Sequence, residues 1–334
     1  MNPQKIKFGV LGSSRVALKG MLPAMHDSEL VEIVMIGSRS PEKGKGLAHL
    51  YGATFGSYED VLRNNKVDAV YICFPNSLHE EWTIRALNAG KHVLCEKPAA
   101  TTYAAAKRMV EVAKKNNIRL LEGLMFRYHP QHAKVKELIN NGTLGDLLKF
   151  DGCFAFALPE RSSTAMNKDL GGGSFNDEFC YPVSASRMIF GEEPQEVFCT
   201  IKMDPQSGVD VKVDAMLTYS NNKSAFASSI LGSHYQSTYS VLGTKGIVRM
   251  GRAYSMPRDT EVKVFLETDD KKEEIIFPYA DHFRLMVEDF AKEIIKGSES
   301  TKDYEGDLLC EARVLEAARL SDKEKRVVKI SEIN

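Results

Sequence analysis

Lys97, Asp177 and Tyr181 are the residue types that a proton-coupled hydride transfer requires. A tyrosine hydroxyl can protonate a nascent alkoxide, a lysine ammonium within hydrogen-bond reach lowers that hydroxyl's pKa, and a carboxylate can orient either partner. Lys97 follows the apolar run His92–Cys95, at a strand's carboxyl end, where open α/β sheets bind ligands. Glu96 can anchor it, and Pro98 removes an N–H and restricts its neighbour, which suits a fixed turn. Asp177 and Tyr181 are spaced i, i+4, so a helix puts them on one face, and Gly171-Gly172-Gly173 lets a ligand approach that helix's start. Taken singly, each has a plainer reading: a solvated strand-end lysine, a core tyrosine, a first-turn carboxylate that favours the helix dipole. A cofactor loop elsewhere in the chain is what joins them.

That loop is Gly9-Val10-Leu11-Gly12-Ser13-Ser14-Arg15-Val16-Ala17, between a first strand and a first helix, where a dinucleotide fold seats pyrophosphate on backbone N–H groups. The glycine fingerprint falls on Gly12, Ser14 and Ala17, with Ser14 replacing the glycine of closest phosphate approach. A simple turn using Gly12 competes with this reading until the surrounding βαβ pattern is counted. At the end of the second strand stands Gly37-Ser38-Arg39-Ser40, followed by Lys43, with no carboxylate to hold a ribose 2'-hydroxyl. A guanidinium, two hydroxyls and an ammonium suit a 2'-phosphate, so the cofactor read here is NADP(H). The plainer alternative makes Ser40 an N-cap and Arg39 a solvated charge.

Three further motifs carry a family resemblance: Ala89–Pro98 as AGKHVxxEKP, Pro75-Asn76-Ser77-Leu78-His79 as PNxxH, and Gly171–Tyr181 as GGGxxxDxxxY. Across essentially its whole length the chain resembles the glucose-fructose oxidoreductase / inositol dehydrogenase (Gfo/Idh/MocA) family. The segment Met125–His132 is similar to its branch of NADP-dependent sugar ketoreductases, aldose dehydrogenases and dihydrodiol dehydrogenases. The resemblance implies that Lys97 and Tyr181 face the nicotinamide across a cleft, with Pro75, Asn76, His79 and Glu96 on the cofactor side and Lys97 also holding the cofactor's ribose. It implies Arg127 and His129 as substrate contacts beside Asp177 and Tyr181, and an open second-domain sheet that forms a homodimer or homotetramer. Phe179 departs from the branch, which usually has Gly there, and would narrow the pocket. Two decoys are set aside. Tyr103 and Lys107 spell the YxxxK of short-chain dehydrogenases without that family's first loop or serine, and His129 with His132 lacks a third metal ligand. No metal is expected.

The elements that must position these residues change character near residue 122. Before it, the strands Ile6–Leu11, Val31–Ile36, Asp68–Phe74, His92–Cys95 and Ile118–Leu121 alternate with helices at Arg15–Met25, Pro41–Leu50, Leu78–Ala89 and Tyr103–Lys115. This is a parallel, doubly wound sheet. After it come helices near Gln131–Asn140 and Ser174–Phe190, then hairpins turning at Asn221-Asn222, at 243–246 and at Asp269-Asp270. Helices His282–Lys296 and Glu305–Leu320 and a last strand Val327–Ile330 that pairs back complete the chain. The expected architecture is α/β: a Rossmann NADP-binding domain over 1–122 and, over 123–334, an α+β domain on a mostly antiparallel open sheet for substrate and oligomerisation. Ala225, Ala227 and Ser229 are read as that sheet's flat, uncovered face.

Composition narrows the function. Forty-four basic against 45 acidic residues give a net charge of -1, which leaves no field to gather nucleic acid or a membrane surface. Six cysteines in no paired spacing read as reduced thiols of a cytoplasmic protein, and the apolar patch before Gly12 is too short for a signal peptide. The expected function is hydride transfer between NADP(H) and a sugar or sugar-nucleotide carbonyl or alcohol. The alternatives are an aldose 1-dehydrogenase or dihydrodiol dehydrogenase, and a non-catalytic NADP-binding regulator, against which the joint presence of Lys97 and Tyr181 argues.

Overall fold

The computed structural model describes residues 5–334. They form two compact units, one extending to Met125 and including 281–309, the other made of Phe126–Ala280 and Cys310–Asn334.

The first unit is a six-stranded parallel sheet of β1 (Ile6–Leu11), β2 (Val31–Gly37), β3 (Thr54–Gly56), β4 (Ala69–Ile72), β5 (His92–Cys95) and β6 (Leu120–Glu122). Its order is β3-β2-β1-β4-β5-β6, so the direction of winding reverses between β1 and β4 and opens a crevice at their carboxyl ends. Helices α1 (Leu22–His26), α2 (Pro41–Leu50), α3 (Tyr58–Arg63), α4 (His79–Asn88) and α5 (Tyr103–Asn116) connect the strands. β4 is buried along its whole length, as a strand covered on both faces must be. The expected Arg15–Met25 helix instead starts as a wider π turn over Ala17–Met21 before α1. β3 and α3 went unforeseen; Ser57 and Asp60 start α3 with a reciprocal capping box.

In the second unit α6 (Pro130–Asn140) precedes β7 (Leu147–Phe156), and a π turn, Phe175–Phe179, leads into α7 (Cys180–Phe190). Then follow β8 (Glu196–Met203), β9 (Asp210–Thr218), β10 (Ser224–Leu231), β11 (Gln236–Gly243), β12 (Gly246–Met250), β13 (Val262–Thr268) and β14 (Lys272–Phe277). With β15 (Val328–Lys329) they order as β14-β13-β12-β11-β7-β10-β9-β8-β15, antiparallel except for the β7–β10 pair. The anticipated hairpins are present, with Asn221 and Asn222 left-handed at one turn. The reading of the open face, however, is reversed. Ala225, Ala227 and Ser229 are fully buried beneath α7 and the π turn, and the uncovered face carries Phe198, Met216, Phe226, Leu242 and Phe265, each about 40% exposed. Alternation separates the two faces but does not say which one a helix covers.

Helix α8 (His282–Lys296) and the start of α9 (Tyr304–Glu324) return to the first unit, so a single cut after residue 122 does not describe the division. The return is built in by packing: a side chain at Gly20 would collide with the Phe283 ring, Ser28 Oγ donates to Glu288 over 3.0 Å, and Glu305 accepts from the Arg119 guanidinium and from the Leu120 N–H.

Candidate active site

At the carboxyl end of β1, Gly12 has φ +104°, and a Cβ there would stand 3.2 Å from the Cys73 carbonyl, the Cys73 Sγ and the Phe74 ring. Only glycine meets both conditions. Its N–H donates to the Gly37 carbonyl, tying the ends of β1 and β2 together. Ser14 Oγ accepts the Ala17 N–H over 3.2 Å, so the serine standing where the fingerprint has glycine starts the following turn. Ser13 and Ser14 are half-buried while Arg15 and Val16 are exposed. At the end of β2, Ser38 accepts the Ser40 N–H and Ser40 caps α2 through the Lys43 N–H, which leaves the Arg39 and Lys43 side chains exposed. Beside Arg39 the Tyr58 ring packs on Gly37 and makes edge contacts with Phe74 (4.7 Å) and Trp82 (5.1 Å).

Lys97 is half-buried in a turn whose Lys97–Pro98 peptide is cis. Three buried side chains hold that turn. Tyr71 Oη donates to Glu96 Oε1 over 2.5 Å, Glu122 Oε1 accepts the Ala99 N–H over 2.8 Å, and the His79 ring nitrogens lie 2.8 Å from the Pro98 carbonyl and 2.9 Å from the Phe74 carbonyl. His79 and Glu96, expected to touch cofactor, are thus bonded within the protein, whereas Pro75 and Asn76 are half-buried at the end of β4. Lys91 of the AGKHV stretch is structural: its ammonium donates to the carbonyls of Asn64 and Val67.

In the second unit, Tyr181 stands in the first turn of α7 at 4% exposure. Its ring is walled by Phe154 (4.7 Å), Phe126 (5.7 Å) and Tyr254 (5.8 Å). Asp177 lies half-buried inside the preceding π turn, a winding that recurs at functional sites. Asp210 of β9 accepts the Phe175 N–H, and Ser229 of β10 bonds Ser174. Arg319 covers the Phe175 ring at 4.1 Å and donates to Asn176. Phe179 is fully buried against Phe175. Arg127 is half-buried. His129 is 2% exposed and its Nδ1 accepts the Gln131 N–H, capping α6; burial lowers its pKa to about 4, so it is neutral. His132 is held by the Tyr239 hydroxyl and the Ala253 carbonyl, while Lys107 lies exposed near the buried Tyr103 on α5.

The supports Tyr71, Glu122, Asp210, Ser229 and Arg319 were not foreseen. Only Tyr71 left a signal, as the one hydroxyl in the apolar run Ala69-Val70-Tyr71-Ile72.

Residues 6–124 match the oxidoreductase family with an NAD-binding Rossmann fold, and residues 132–249 match the Gfo/Idh/MocA C-terminal domain. The chain belongs to the Gfo/Idh/MocA oxidoreductase family. Among relatives, a dTDP-3,4-didehydro-2,6-dideoxy-alpha-D-glucose 3-reductase of Actinomadura kijaniata is 30% identical over 95% of this chain and 96% of its own. A D-xylose 1-dehydrogenase (NADP(+)) of Haloferax volcanii is 31% identical over 89% and 92%. The crystal structure of KijD10, a 3-ketoreductase from Actinomadura kijaniata in complex with NADP and TDP-benzene, superposes with a TM-score of 0.91 at 30% identity, covering 95% of this chain and 98% of that one. Solved variants of KijD10 replace a lysine by alanine and a tyrosine by phenylalanine, at positions as far apart in its chain as Lys97 and Tyr181 are here.

The residues of this Gfo/Idh/MocA chain fit a dinucleotide. The space that a Cβ on Gly12 would fill is kept open, two half-buried hydroxyls follow it, and the exposed guanidinium of Arg39 stands where a carboxylate would repel a 2'-phosphate. Among the described residues no helix is long and apolar enough to cross a membrane.

Proposed function

We propose that the protein is an NADP(H)-dependent ketoreductase or dehydrogenase acting on a sugar-like carbonyl or alcohol, with a sugar nucleotide as the favoured substrate class. The observation that carries this is the β2 terminus, where Arg39 replaces the ribose-binding acid, in a chain 30% identical to a ketoreductase solved with NADP and TDP-benzene. The cofactor supplies or accepts the hydride. Tyr181 donates the proton to the oxygen of the reduced carbonyl, and the Lys97 ammonium stabilises the phenolate left behind. Asp177 orients the substrate or the tyrosine, and Arg127 supplies a cation for the substrate, with neutral His129 beside it in sequence. The spacing of the lysine and tyrosine replaced in KijD10 supports the pair. The D-xylose dehydrogenase relative favours one second reading, oxidation of a free aldose by the same residues.

We also propose that the uncovered sheet face joins copies of the chain into a homodimer or homotetramer, and that the protein works in the cytoplasm, where its six free cysteines stay reduced. Absorbance of NADPH is to be followed with a panel of nucleotide-linked keto-sugars, and formation of NADPH from NADP+ with free aldoses. Turnover of a nucleotide-linked sugar above that of free aldoses is expected. NADP(H) binding without turnover of any panel member would mean a regulator instead.

A further inference from the structure

Tyr71 is fully buried in β4, and a phenol in such a strand must find a partner. Register sets which one. β4 pairs with β5 so that Tyr71 lies opposite Leu94 and Ile72 opposite Cys95, and Glu96 continues the line by donating its N–H to the Ile72 carbonyl. The Glu96 carboxylate, 8% exposed, then meets the Tyr71 hydroxyl at 2.5 Å. The same carboxylate accepts the backbone N–H of Lys97 and feels its ammonium.

We propose that Tyr71 and Glu96 are positioning residues for Lys97: the phenol holds the buried carboxylate in place, and the carboxylate fixes the backbone N–H of the lysine. This rests on the reading of Lys97 as catalytic. The charges around Glu96 fit it. Burial raises the Glu96 pKa, and the Tyr71 hydrogen bond and Lys97 oppose that rise. From β4, Tyr71 is held well above its ordinary pKa by burial and by Glu96, so it stays a donor, and burial pushes the Cys73 thiol up to about 12. On β5 the buried Cys95 is likewise raised, and from β6 Glu122 is engaged by the Ala99 N–H. The neutral thiols add no second negative charge beside Glu96, and the charge of Lys97 favours its ionised form.

The first arm of the test needs neither substrate nor cofactor. In the full-length protein, the infrared carbonyl band of protonated Glu96, identified by its loss in Glu96→Gln, is followed against pH. Tyr71→Phe removes one hydrogen bond to a charged group and nothing of the ring, so the band is expected to appear about one to two pH units higher than in wild type. With any panel substrate that turns over, Glu96→Gln is expected to lower kcat by roughly 10-fold or more while the Kd for NADP(H) holds. An unmoved band in Tyr71→Phe, or an unchanged kcat in Glu96→Gln, overturns the proposal. Lys97→Met, run in parallel, separates the two levels: if it keeps wild-type turnover, the assignment of Lys97 fails whatever the infrared result.

Discussion

The Tyr181 ring is packed by three aromatic rings, and the turn that carries Lys97 is held by the bonds to Glu96, Ala99 and Pro98 on either side of it. As the proposed proton donor and the proposed cation that stabilises its phenolate, the two should act as one. Tyr181→Phe and Lys97→Met are each expected to lower kcat about 10² to 10⁴-fold, with little further loss in the double variant, and NADP(H) binding should survive Tyr181→Phe. Near wild-type turnover in Tyr181→Phe together with loss of activity in Lys107→Met would reverse the assignment. Arg39 is proposed to act on binding alone. A charge-assisted contact contributes roughly 1.5 to 3 kcal/mol, so Arg39→Ala should weaken NADP(H) about 10- to 100-fold and leave NAD(H) nearly unchanged in a fluorescence titration; equal affinity of the wild type for both cofactors would refute the preference. Residues of this kind can be proposed from sequence because their types are costly without a task. Their supports cannot, since a buried glutamate or histidine reveals its partner only once strands are in register.

Long apolar runs such as β1 and β5 were readable to within a residue, and so were helices opened by strong caps, such as α2 behind Ser40 and Pro41. β3 has three residues, too few to show a period, and the π turns use the same apolar spacing as an α-helix, so neither could be read. The phase of β10 was misassigned for a physical reason: small residues looked suited to a flat open face, but α7 and the π turn need them for close approach, as Ser229 against Ser174 shows. The large residues therefore face outward. Five such side chains stand on one face, among ion pairs Lys149–Asp151, Lys212–Asp214 and Lys263–Glu274, and this is the face proposed above to join copies of the chain. Light scattering at micromolar concentration should give at least a dimer. Phe226→Glu with Phe265→Glu, which puts charges where each aromatic contributes about 1.5 to 3 kcal/mol on burial, should give a folded monomer; a wild-type monomer would remove the interface.

Two histidines, one in each unit, tie the stability of the protein to pH. His92 Nδ1 accepts the Arg119 N–H over 3.0 Å, and burial, with the Arg119 guanidinium nearby, lowers its pKa to about 4. The same arginine clamps the returning segment through Glu305, Ser300 and the Lys302 carbonyl, a closure that no local sequence pattern could reveal, because an amphipathic helix shows its apolar face and not its partner. His129 reaches about 4 by burial alone. Both are neutral when folded and titrate near 6.5 when unfolded. As pH falls from about 6.5 to 4, the unfolded chain takes up protons that the folded chain refuses, so stability is lost with acid rather than gained. Each histidine contributes at most about 1.4 kcal/mol per pH unit, and the loss levels off below about 4, where the folded rings also protonate. Asparagine can accept the same N–H bonds without titrating, at His129 as a helix cap. His92→Asn with His129→Asn should therefore flatten the fall of the urea midpoint between pH 6.5 and 4 while changing it little at pH 8. A double variant as acid-sensitive as the wild type would place the acid loss in other groups.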